Sequence, residues 1–152
     1  METIIRELMV GDEVGRLTKP PISKVQLVRY AGASGDFNPL HTDDEAARKA
    51  GFEGVIAHGM LIMGFFTQAI TTWMPQRFLK KINVRFKEAT RVGDSITVIA
   101  RVMEKEITNR LGRMVCSIEA VDQNMQVKAS GTVELEVPLQ NERSLADSFK
   151  EN

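Results

Sequence analysis

The sequence predicts an α+β domain in which a curved antiparallel sheet wraps around one long buried helix. Three observations predict it. Helix signals are confined to the first half of the chain. Apolar residues in the second half alternate with a period of two. Residues 57–73 (AHGMLIMGFFTQAITTW) are apolar nearly all the way round. Helices first and strands later indicate α+β rather than alternating α/β. A helix that is apolar on every face must be covered, and a sheet with one apolar face must cover something. One sheet curved round one helix is the simplest arrangement that meets both needs.

The first clear element follows Pro20-Pro21. Ser23 and Gln26 have capping-box spacing, so a helix starts at Lys24 and runs to about Ala31. Val25, Val28 and Ala31 can share one face, and Gly32, Ser34 and Gly35 then break it. Residues 34–41 (SGDFNPLH) are too rich in Gly, Asp, Asn and Pro for regular structure and read as a tight turn and loop. Thr42 and Glu45 form a second capping box, which predicts a short helix from about Asp43 to Ala50 with Gly51 past its end. Asp43, Asp44 and Glu45 occupy its first turn, where the helix dipole favours them. In the central helix the uninterrupted apolar run, residues 59–66, falls far short of the roughly 20 residues a membrane span needs. It is therefore expected to be buried, and Pro75 follows its end.

Four alternating sets follow. Ile82, Val84 and Phe86 form the first, Ile96, Val98, Ala100 and Val102 the second. Met114, Cys116, Ile118 and Ala120 form the third. Val127, Ala129, Gly131, Val133, Leu135 and Val137 form the last. They read as half-buried antiparallel strands joined by turns at Gly93-Asp94, at residues 109–112 and at residues 122–124. The final strand stops at Pro138. The expected organisation is one domain over residues 1–138 and a polar tail over residues 139–152.

Composition narrows the partners. A chain of 152 residues can bury a core without disulfides or a structural metal. Lys+Arg and Asp+Glu both number 20, so there is no basic surplus to neutralise phosphates, and nucleic acid is excluded as the main partner. One cysteine, Cys116, can neither close an internal disulfide nor hold zinc by itself. Residues 1–15 lack the apolar run of a signal peptide, so a cytoplasmic protein without membrane attachment is expected.

The chemistry-bearing residues cluster. Both histidines, His41 and His58, lie near Asp36, Asn38 and Gly59, close to the apolar helix. Titratable groups beside an apolar element suggest a site. A turn stiffened by Pro39 could bring the Asp36 carboxylate and the His41 imidazole onto one small ligand, such as a water. Structural roles also fit these residues. Asp36 could serve the turn, His41 could sit beside the Thr42 cap, and His58 could cap the central helix or bond internally. Cys116, on the apolar face of a strand, reads as a small buried hydrophobe rather than a nucleophile.

Residues 30–41 (YAGASGDFNPLH), with AHGM at 57–60, resemble the MaoC-like dehydratases and (R)-specific enoyl-CoA hydratases. That family's pattern is an aromatic, then Ser/Thr-Gly-Asp-x-Asn-Pro-aliphatic-His, followed by an Ala/Ser-His-Gly-Met helix start, and every position matches. The segment NVRFKEATRVGDSITV also resembles the family's strand-turn-strand, although Ala89-Thr90 stand where Pro-Val is common. The resemblance covers roughly residues 10–138.

It implies the hotdog fold, which is the wrapped helix argued above, and a homodimer or higher homo-oligomer. It implies a hydro-lyase that adds water reversibly to a trans-2-enoyl thioester, giving the (3R)-hydroxyacyl thioester. Asp36 and His41 would hold the water and handle the protons. Gly59 would offer its N–H to the thioester oxygen at the positive end of the central helix. Asn38 would fix the loop, and His58, Met60 and Met63 would meet the substrate. No metal or redox cofactor is implied; the CoA or acyl-carrier arm belongs to the substrate. Two other readings share the fold. A hotdog thioesterase usually places a carboxylate on the central helix, and residues 60–73 contain no Asp or Glu. A non-catalytic partner subunit or acyl-CoA-binding module commonly loses the Asp or His, and both are present.

Overall fold

A computed structural model describes residues 2–139. The chain runs α1 (Glu2–Glu7), β1 (Glu13–Thr18), α2 (Lys24–Ser34), α3 (Pro39–Thr42), α4 (Asp44–Lys49), α5 (Gly59–Trp73), β2 (Leu79–Phe86), β3 (Thr97–Ile107), β4 (Leu111–Val121) and β5 (Val127–Pro138). The five strands form one sheet in the order β1-β3-β4-β5-β2, with every neighbouring pair antiparallel. Most inward residues are those the alternation selects, with two exceptions: Phe86, expected inside, is exposed, and Lys128, expected on the polar face of the last strand, is buried against Asp122. Val98, Val102, Met114, Cys116, Ile118, Val133, Leu135 and Val137 are all buried. They share one apolar cluster with Leu61, Ile62, Phe65, Phe66, Ala69 and Ile70 of α5. This is the hotdog arrangement expected from the sequence. One backbone approach is very close: a Cβ on Gly131 would lie 1.8 Å from the Asn83 carbonyl oxygen, so β2 can pair there only with glycine.

The boundaries differ from the sequence expectation in physically readable ways. Helix α2 continues through Gly32 to Ser34 and ends at Gly35, whose φ of 75° lets its N–H reach the Ala31 carbonyl. Its inward residues are Leu27 and Ala31, whereas Val25 and Val28 point outward. The 34–41 segment is not wholly loop, because Asn38 caps the single turn α3. Asp43, not Thr42, caps α4 by accepting from the Glu45 and Ala46 N–H groups. Helix α5 begins at Gly59, where the resemblance places the helix start, although the apolar stretch opens at Ala57. Helix α1 and strand β1 went unanticipated: six residues without a capping signal are too few to show a helical period, and the burial of β1 hardly alternates.

Leu139, expected to open a polar tail, is buried and donates its N–H to the Arg110 carbonyl. The rest of that expected tail lies outside the described residues. Among those described, no helix is long and apolar enough to cross a membrane.

Candidate active site

The site is built from short polar side chains that satisfy backbone groups. At the end of α2, the Ser34 hydroxyl donates to the Tyr30 carbonyl and accepts from the Asp36 N–H. Asp36 Oδ1 accepts from the Asn38 N–H at 3.2 Å, and Asn38 Oδ1 accepts from the Leu40 N–H at 3.0 Å. These two Asx-type bonds fold the loop and start α3 at Pro39. Asn38 therefore fixes the loop, the part foreseen for it, without lining the cavity described below. The turn of α3 delivers His41. From the other side, Asp44 Oδ1 accepts from the Val55 N–H, and the Ile56 N–H donates to the Leu40 carbonyl. The strand-like segment before α5 is thus tied to the loop that carries His41.

Two carbonyls fix the imidazoles. His41 Nδ1 lies 2.8 Å from the Ile56 carbonyl, and His58 Nε2 lies 3.0 Å from the Asp36 carbonyl. A carbonyl oxygen only accepts, so each of those nitrogens carries a proton. In the neutral rings His41 Nε2 and His58 Nδ1 are left as acceptors. His41 Nε2 faces Asp36 Oδ2 at 3.9 Å. That is too long for a direct hydrogen bond and short enough for one water to touch both. The rings of His41 and His58 stack at 3.8 Å, and Tyr30 packs on His58 at 4.9 Å. His58 is buried and its Nδ1 has no partner.

Gly59 opens α5, and His58 gives the helix no side-chain cap. The Leu61 N–H donates to the His58 carbonyl, which leaves the Gly59 and Met60 N–H groups at the helix start to meet a ligand, at the positive end of a 15-residue dipole. A Cβ at Gly59 would stand 3.2 Å from the Phe86 ring, so glycine here keeps the approach open. His41 and Gly59 both line a cavity of about 340 Å³, whose apolar walls include Phe52, Ile56, Ile62 and Phe86.

The residues expected around the site divide accordingly. Asp36, His41, His58 and Gly59 are brought together. Met60 points to solvent, with 60% of its surface exposed, and Met63 packs against the core, so neither lines the cavity. Ile62 does, and sequence reasoning missed it. Helical spacing from Gly59 allows Ile62 and Met63 equally. What decides is where Phe52 and Phe86, from separate elements, close the walls, and no local signal carries that.

Asp36, His41 and His58 are also the residues among those described whose donor atoms, all within 4.8 Å of one another, could meet a metal ion. Cys116 is remote in function: burial pushes its thiol up to about 11, so it stays protonated and inert at neutral pH.

A model of the MaoC-like domain matches residues 7–124. The chain belongs to that family. A mitochondrial 3-hydroxyacyl-[acyl-carrier-protein] dehydratase of Arabidopsis thaliana is 36% identical over 104 residues, covering 68% of this chain and 61% of that protein. The 3-hydroxybutyryl-CoA dehydratase of Methylorubrum extorquens is 29% identical over 134 residues, covering 86% and 83%. This MaoC-like chain thus spans about six tenths of the length of the first relative and most of the second. Among solved structures, the (R)-hydratase of A. caviae superposes with a TM-score of 0.75 at 26% identity, covering 88% of this chain and 99% of that one.

Proposed function

We propose that this MaoC-like chain is an (R)-specific enoyl-thioester hydratase, running equally as a (3R)-hydroxyacyl-thioester dehydratase. The observation that carries the reading is the 3.9 Å gap between His41 Nε2 and Asp36 Oδ2, beside the open N-terminus of α5. A water held in that gap gives one hydrogen to each acceptor, which aims its oxygen at Cβ of the enoyl group. As the C–O bond forms, the π electrons move to the thioester oxygen, and the Gly59 N–H stabilises the charge developing there. The proton lost by the water is carried by the Asp36–His41 pair and ends on Cα. Water is thus consumed whole, with OH at Cβ and H at Cα. The Ile56 carbonyl keeps the free lone pair on His41 Nε2, where the water proton is needed. None of these steps needs a metal or redox cofactor. The acyl chain lies in the cavity against Ile56, Ile62 and Phe86.

The direct test is hydration of crotonyl-CoA by the purified protein, followed by chiral analysis of the product. The (3R) alcohol is expected. No hydration of crotonyl-CoA or longer trans-2-enoyl thioesters, or formation of the (3S) alcohol, would sink the reading. We also propose a homodimer or higher homo-oligomer, because the sheet ends in edge strands β1 and β2, and such edges are commonly paired or covered. A monomer at micromolar concentration in light scattering would contradict it.

A further inference from the structure

His58 meets all three groups that the hydration step uses, yet it does not line the cavity. The residue is 1% exposed, so neither substrate nor a partner subunit reaches it. It stands at the N-cap of α5 but caps nothing there, because its ring is committed to the loop instead. The ring stacks on His41, with 3.8 Å between the centroids and 27° between the planes, and Tyr30 packs against it in turn. Its Nε2–H donates to the Asp36 carbonyl at 3.0 Å. Its own carbonyl accepts from the Leu61 and Ile62 N–H groups and belongs to the same peptide as the Gly59 N–H.

Each member of the dyad therefore has one local hold and one from His58. The Ser34 hydroxyl takes the Asp36 N–H, and His58 takes the Asp36 carbonyl. The Ile56 carbonyl takes the edge of the His41 ring, and His58 takes its face. A single hydrogen bond leaves a ring free to turn about the donor–acceptor line, and a stacked neighbour stops that turn. The 3.9 Å gap that admits one water depends on both holds. The unpartnered Nδ1 shows what the imidazole is there for. A buried acceptor without a donor is destabilising, and a phenyl ring would fill the stack without one. The imidazole supplies, in addition, the Nε2–H that the Asp36 carbonyl takes.

We infer that His58 is a positioning residue: it sets Asp36, His41 and the Gly59 N–H relative to one another and does not touch the thioester. This rests on the hydratase reading above, and it names the residue that holds that site in register.

Two variants separate the holds. His58→Phe keeps a ring and loses the donor, while His58→Gln keeps an N–H near the place of Nε2 and loses the ring. Each should lower kcat for crotonyl-CoA about 10–100-fold, with KM within about twofold of wild type. In a His41→Ala background either change should lower kcat by no more than about threefold further, because the group it aligns is already gone. A rise in KM with kcat kept would make His58 a substrate contact. A lower unfolding midpoint with kcat of the folded fraction kept would make it merely structural. Either result overturns the inference, as does a full additional loss in the His41→Ala background. A measurement on the unaltered protein is independent of catalysis and of how the variants fold. In the nitrogen NMR spectrum of histidine-labelled protein, neutral His58 should carry its proton on Nε2 and neutral His41 on Nδ1. The opposite tautomer at His58 removes the donor and overturns the inference. If no thioester is hydrated, the hydratase reading fails and the spectrum decides alone: His58→Gln should turn the single His41 tautomer into a mixture, and an unchanged His41 signal overturns the inference.

Discussion

Segment 34–59 and strands β3 to β5 hold their shapes by different means. In the strands, long antiparallel ladders carry the backbone, and inward residues such as Val98, Met114, Ile118 and Val133 are at most 1% exposed. In the segment, single polar side chains hold single backbone groups: Ser34, Asp36, Asn38, Asp43 and Asp44 each accept one or two N–H bonds. Asp36 is half exposed. The lesson is separability. Removing the Asp36 carboxylate takes away little buried area, although the His41 ring, 11% exposed and stacked on His58, is held more firmly. Removing a core side chain is expected to leave the dyad geometry in place. Chemistry and stability should therefore respond to different substitutions.

The largest expected effect lies in the dyad. Asp36→Asn and His41→Ala should each cut kcat by about 10²–10⁴-fold. Asp36→Asn should have an unfolding midpoint near wild type and His41→Ala a lower one, because its largely buried ring loses the stack on His58 and the bond to the Ile56 carbonyl. Because both act on one water, the double variant should be little worse than the poorer single one. Near-wild-type turnover in either single variant breaks the comparison at the site end. At the core end, Phe66→Ala should cost about 3–5 kcal/mol in urea unfolding, with kcat of the folded fraction preserved. A fall in kcat as large as that in the dyad variants would show that the regions are coupled. Gly59→Val sits on the border. Its side chain must displace the Phe86 ring, and a displaced oxyanion donor costs about 2.7–4 kcal/mol, read as kcat with midpoint little changed. Full activity would remove Gly59 from the mechanism. The smallest effect is Asp43→Ala, which uncaps α4 and should cost about 1 kcal/mol of stability. Circular dichroism melts would show it, and an unchanged midpoint would mean the loop is held elsewhere.

This difference also explains what could be read in advance. Strand alternation fixes which side of each residue is wet, so β2 to β5 and the buried helix were legible. The Asp36, His41 and Gly59 grouping was legible through a motif, because short polar bonds need specific residues at specific spacings. The cavity wall was not. Met60 and Met63 were as plausible as Ile62 until Phe52 and Phe86 arrived from distant elements. The outward turn of Val25 and Val28 was equally hidden, since α2 presents apolar residues on two faces and only packing selects Leu27 and Ala31. Strand β1 escaped because its burial hardly alternates.

The strand order sets a timetable for folding. Strands β3, β4 and β5 follow one another along the chain and pair as neighbours, so their contacts close short loops. The outer strands pair across long stretches, Glu13 with Arg101 and Leu79 with Leu135. Such non-local closures are slow. Pulsed hydrogen exchange should find β4 protected before β1 and β2, and simultaneous protection would contradict this. Until those flanks return, the nascent chain carries α5, its most apolar segment, with the covering sheet still narrow, and that interval is when aggregation competes with folding.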